Sequence, residues 1–126
     1  MFRPRIIPVL LLKGPGLVKT IRFSSPVYIG DPINAVRLFN DYKADELIFL
    51  DINASSEGRA IPSDLIRKIG DEAYMPFSVG GGISDVEKIG ELLSLGAEKV
   101  VLNSSVPNNL RLIEEASKIF GSQSIV

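Results

Sequence analysis

The sequence contains no cysteine and no histidine among its 126 residues. Without cysteine there are no disulfides and no thiolate metal sites. Without histidine, Ser-His-Asp chemistry, His-based metal sites and imidazole acid–base catalysis all drop out. Any proton transfer must fall to carboxylates, lysines, hydroxyls or backbone groups. Neither sign of charge dominates: 14 Lys and Arg face 15 Asp and Glu, for a formal net charge of −1. This excludes the broad basic surface of a nucleic-acid binder. No long hydrophobic run is present either. The apolar stretch from Ile6 to Leu12 is too short to span a bilayer and is bracketed by Arg3, Arg5 and Lys13. It reads as a buried strand rather than a membrane segment or a leader, and the protein as cytoplasmic.

Apolar residues make up 45% of the chain and charged residues 23%, a composition able to build one packed domain over residues 1–126. Short aliphatic runs alternate with amphipathic stretches. Ile6 to Leu12, Leu47 to Ile52, Pro76 to Val79 and Lys99 to Leu102 read as strands, and Val18 to Phe23 as part of a hairpin arm. A first helix opens at Asp31-Pro32, where the carboxylate caps and the proline fits the first helical position. A second begins at Ser63. A third begins with a Ser84/Glu87 capping box and stops at Gly96. A fourth carries Leu112, Ile113, Ala116 and Phe120, and Ser124-Ile125-Val126 starts a fifth strand. Strand–helix alternation implies parallel pairing with right-handed crossovers. Ala44-Asp45-Glu46-Leu47 is echoed by Ala97-Glu98-Lys99-Val100, two strand–helix units later. The pattern fits half of a barrel, and an open doubly wound sheet gives the same alternation.

In a parallel βα barrel, function gathers at the C-terminal strand ends. The third strand runs into Gly80-Gly81-Gly82, where the backbone can approach a ligand and helix-start amides can hold a phosphate. Asn103 and Ser104 lie at matching height one strand over; the plain alternative is a tight turn with Ser104 only capping. Asp51 ends an otherwise apolar strand and needs a cation or hydrogen-bond donor, which Lys19 or a ligand hydroxyl could supply. A structural salt bridge is the competing explanation. Arg5, Glu46 and Lys99 fall at the opposite strand ends, where a stabilising charge cluster is the default reading.

Several phrases resemble the cyclase subunit of imidazole glycerol phosphate synthase: Arg5-Ile6-Ile7, Asp31-Pro32, Asp45 to Ile52, Pro76 to Ile83, Gly96 to Val100 and Phe120 to Gln123. The resemblance covers the whole chain. It implies an α/β fold, the N-terminal (β/α)4 half of a (β/α)8 TIM barrel. It also implies a lyase that combines glutaminase-derived ammonia with a phosphoribulosyl substrate in histidine biosynthesis, giving imidazole glycerol phosphate and an aminoimidazole ribotide. A glutaminase subunit docks at the barrel bottom. On this resemblance Gly81, Gly82, Asn103 and Ser104 hold a substrate phosphate. Lys19 and Asp51 face substrate, and Arg5, Glu46 and Lys99 are three members of a charged ammonia gate. No cofactor and no metal are implied.

Two departures stand out. Leu11 occupies the position of the family's first catalytic aspartate, and leucine cannot transfer a proton. The second aspartate belongs to the fifth strand, past Val126. Leu11 also matches a paralogue group that passes ammonia toward sugar amidation in surface-polysaccharide synthesis. A third reading is a non-catalytic phosphate-binding half-barrel. As a fragment, the chain is expected to self-associate, because strand one and the region of Val126 would leave open edges.

Overall fold

Aliphatic runs bounded by glycine, proline and charged residues become the strands, and amphipathic stretches between them become the helices. The computed structural model describes residues 5–13, 16–21, 24–102 and 109–126. Its strands are β1 (Val9–Lys13), β2 (Gly16–Ile21), β3 (Ser24–Gly30), β4 (Leu47–Asp51), β5 (Phe77–Gly80) and β6 (Lys99–Val101). They form one six-stranded sheet in the order β3-β2-β1-β4-β5-β6. β1, β4, β5 and β6 pair in parallel, while β2 and β3 form an antiparallel hairpin laid against β1. The helices are α1 (Pro32–Asp41), α2 (Ser63–Glu72), α3 (Val86–Ser94) and α4 (Asn109–Phe120), and each packs on the next. This is the expected (β/α)4 arrangement with a hairpin inserted after the first strand.

Strand alternation divides the sheet into two unlike faces. Leu12, Leu47, Phe49, Val79 and Val100 join Val36, Ile66, Ile69, Ile89, Leu92, Leu112 and Ala116 from the helices in one buried core. The helices leave much of the alternate face uncovered, although Ser78 and Gly80 in β5 are buried. Leu11, Ile48, Leu50 and Val101 are half-buried, and Val9 is 53% exposed.

Local physics corrects several expectations. The first strand begins at Val9, not Ile6. Ile6 instead exchanges backbone contact with Asp45: its amide donates to the Asp45 carboxylate at 2.7 Å, and Asp45 N–H donates to its carbonyl at 3.0 Å. Asp31 caps α1 as expected, accepting from the amides of Ile33 and Asn34. The cap of α3 is Asp85 rather than Ser84, and its carboxylate accepts from Lys88 N–H at 2.7 Å. Aspartate caps as well as serine does, and here it stands where the chain turns helical. Strand one is not an open edge, because the hairpin pairs with its Leu11–Lys13 segment. At the other side a 3-10 turn, Ser122–Ser124, leads Ile125 into a parallel bridge with Val100. Fifth-strand pairing thus begins one residue later than expected.

Candidate functional site

The C-terminal ends of β4 and β5 carry the loops that shape the upper end of the sheet. A cavity of about 380 Å³ lies there, lined among others by Ser55, Arg59, Gly82, Ser84, Asp85 and Lys88. Its floor is the glycine turn. Gly82 has φ +62°, and a Cβ there would come within 1.8 Å of the Arg59 carbonyl oxygen. A Cβ on Gly81, at φ +132°, would meet both Asp51 Cβ and the Asp51 carbonyl at 2.8 Å. Glycine is therefore required at 82 by the close passage of the 53–60 loop and at 81 by the end of β4, whatever else the turn holds. The loop is tied down by Ile61 N–H, which donates to the Gly81 carbonyl at 2.9 Å.

The sequence leaves Lys19, a ligand hydroxyl or a structural salt bridge open as the partner of Asp51. Its side chain is wholly shielded from solvent and points to the same face as buried Leu12, its partner in register. Oδ2 accepts from an Arg59 guanidinium nitrogen at 2.7 Å, and Oδ1 accepts from the amides of Asn53 and Ala54, each at 3.1 Å. The carboxylate is thus fully used inside the fold, which is the salt-bridge alternative. Arg59 also donates to Glu57 at 3.0 Å. Hydrogen bonds to Asp51 first, and to Glu57 next, raise the Arg59 pKa above its ordinary value. Arg59 is the site residue that the sequence motifs miss. The available signal was an arginine in the polar loop just after a strand-end carboxylate that had to find a cation.

At the N-terminal strand ends, Arg5 and Glu46 form an ion pair, with Arg5 largely exposed and Glu46 mostly covered. Lys99 is half-buried on the uncovered face, in register with Ser78, and enters no ion pair among the described residues. Leu11 lies on that same face, one row toward the upper end, opposite Leu50. Asn103, Ser104 and the side chain of Lys19 lie outside the described residues. Among the described residues no group of three or more His, Cys, Asp or Glu is placed to hold a metal ion, and no helix is long and apolar enough to cross a membrane.

Residues 5–126 match the family described as "Histidine biosynthesis protein". The putative imidazole glycerol phosphate synthase subunit HisF of Leptospira interrogans is 49% identical over the whole chain. A putative subunit of the same synthase from Pseudomonas aeruginosa is 48% identical, and the HisF subunit of Thermococcus onnurineus 45%, again over the whole chain. The chain spans about half the length of each of these relatives.

Proposed function

The chain belongs to the histidine biosynthesis protein family, and on that premise we propose that it acts as the N-terminal half-barrel of an imidazole glycerol phosphate synthase cyclase subunit. The observation that carries this reading is the unbroken match over all 126 residues to relatives named for that subunit. Those names favour it over sugar amidation in surface-polysaccharide synthesis. In this role the half-barrel presents one phosphate grip, made by the Gly81–Gly82 turn with Asn103 and Ser104. Arg5, Glu46 and Lys99 act at the opposite end on ammonia arriving from a glutaminase partner. Lys19 meets the phosphorylated substrate from the hairpin. Asp51 serves the same end from below, by fixing the loop that overlies the glycine turn.

Leu11 removes the proton-transfer group from the first strand, so the half-barrel contributes binding and ammonia handling rather than acid–base chemistry. Titration of the chain with inorganic phosphate tests the grip. Saturable binding that Asn103→Ala weakens about tenfold supports it, a loss in the range of one charge-assisted hydrogen bond. Binding unchanged by Asn103→Ala sinks the assignment of that residue. The cyclase reading is tested by joining the chain to a complementary (β/α)4 half and assaying ammonia-dependent ring closure.

A further inference from the structure

We propose that Arg59 is a positioning residue for the glycine turn: anchored on Asp51 through its side chain, it holds its own carbonyl over Gly82 and so fixes the Gly81–Gly82 backbone. The purpose of that backbone, gripping phosphate, rests on the function proposed above.

Four observations converge on Arg59. Its guanidinium reaches the buried Asp51 carboxylate at 2.7 Å, and one nitrogen also approaches the Ala60 carbonyl at 3.4 Å. Its amide donates to the Ala54 carbonyl at 2.9 Å. Ala54 N–H in turn donates to Asp51 at 3.1 Å, so main chain and side chain close one ring around a single carboxylate. Finally, the Arg59 carbonyl occupies the space beside Gly82 that any Cβ would need. Two residues on, Ile61 binds the Gly81 carbonyl from the same loop.

The side chain therefore has a task beyond charge pairing. Holding a loop of this length in one path past Gly82 costs conformational entropy, which anchoring contacts must offset. The planar guanidinium donates to Asp51 and Glu57 from different nitrogens, which fixes its orientation as well as its position. A lysine keeps the charge and loses that fork. The cavity wall beside the turn also includes Arg59, so release of the latch changes the shape of the site without removing a phosphate-binding group.

The test compares backbone amide exchange and phosphate binding in the full chain and its variants. Arg59→Ala is expected to speed exchange at Gly81, Gly82 and Ile83 by roughly tenfold or more, as local opening becomes easier. Affinity for inorganic phosphate is expected to fall by about tenfold, with Arg59→Lys restoring part of both. Arg37→Ala, which breaks the exposed Arg37–Glu72 pair, serves as a control and should move neither readout. If Arg59→Ala does not fold, Arg59→Gln carries the same comparison. Unchanged exchange at the turn overturns the proposal whatever phosphate does. Faster exchange with unchanged phosphate affinity supports Arg59 as the residue that sets the turn and overturns the phosphate reading of that turn. Failure of the unaltered chain to bind phosphate defeats the phosphate reading instead, and leaves the exchange data to decide whether Arg59 sets the turn.

Discussion

Leu11 and Leu50 stand directly opposite each other across the parallel β1–β4 pair, both half-buried on the face that the helices do not cover. A carboxylate at position 11 would meet an apolar neighbour and open space. It would not enter the sealed core around Phe49. Position 11 can therefore be altered at small cost to the fold.

Leu11→Asp is expected to lower stability by no more than about 1–2 kcal/mol, the loss from a partly buried leucine. In a closed barrel that supplies the fifth-strand aspartate, the same change should raise ammonia-dependent ring closure by ~10²–10⁴-fold. Denaturant melts and a turnover assay check the two halves of the statement. No gain in turnover would show that the deficit lies elsewhere.

Two glycines in similar left-handed conformations should respond very differently to alanine. Gly58, at φ +67°, has nothing within 4 Å of a Cβ, whereas Gly82, at φ +62°, has the Arg59 carbonyl at 1.8 Å. Gly58→Ala is expected to cost only the backbone penalty, ~1–2 kcal/mol. Gly82→Ala must displace the loop as well, so its melting temperature should fall much further and phosphate binding should be lost. Comparable melts for the two variants would contradict the close approach.

Asp51→Ala strips the acceptor from two amides and from Arg59 at once. A loss of roughly 2 kcal/mol or more is expected, because the Ala54 amide is buried and has no water to turn to. Arg59→Ala should also destabilise, since it leaves the buried carboxylate without its cation. The guanidinium pKa is raised in the folded chain. As far as the guanidinium's own titration goes, its contribution is accordingly complete below the ordinary arginine pKa and fades only in strong alkali. Across the neutral range the destabilisation by Arg59→Ala should not vary with pH through guanidinium titration, which urea melts at several pH values would check.

The Arg5–Glu46 pair holds an arginine whose side chain is 61% exposed. Pairs of that kind contribute ~0–1 kcal/mol. Arg5→Ala should therefore leave the melting transition almost unmoved. If the proposed ammonia role holds, the same variant in a joined barrel assayed with a glutaminase should reduce the coupling between glutamine hydrolysis and ring closure. A large fall in stability would return this cluster to a purely structural role.

Much of this architecture could be read from the residues. Periodicity located the four parallel strands and four helices, because each apolar stripe had one plausible face to bury. Asp31-Pro32 marked its helix start because cap and proline agree. The α3 cap was misplaced by one residue, since Ser84 and Asp85 are both competent caps and only the path of the preceding turn chooses between them. The glycine turn was legible as a close approach, but what approaches is the Arg59 carbonyl, a contact no spacing rule encodes. The need of Asp51 for a cation or donor is visible in the sequence, but that Arg59 meets it is not, because only the path of the 53–60 loop brings the two together.

In solution the uncovered face should drive self-association that responds to apolar-to-charged changes. Leu50→Lys is expected to shift the chain toward monomer in light scattering at micromolar concentration. A monomer already present without substitution would remove the basis for this expectation.

The hairpin gives that association a particular character. It moves the sheet's outer edge from β1 to β3, a strand that contains Pro26 and pairs with β2 through shifts in register. At the opposite side Ile125 already occupies part of the β6 edge. A free edge is a template that each added strand renews, and growth upon it has no natural end. A face is consumed once it is covered. Assemblies of this chain should thus be small and finite rather than fibrous, because the exposed feature they satisfy vanishes in the act of being satisfied.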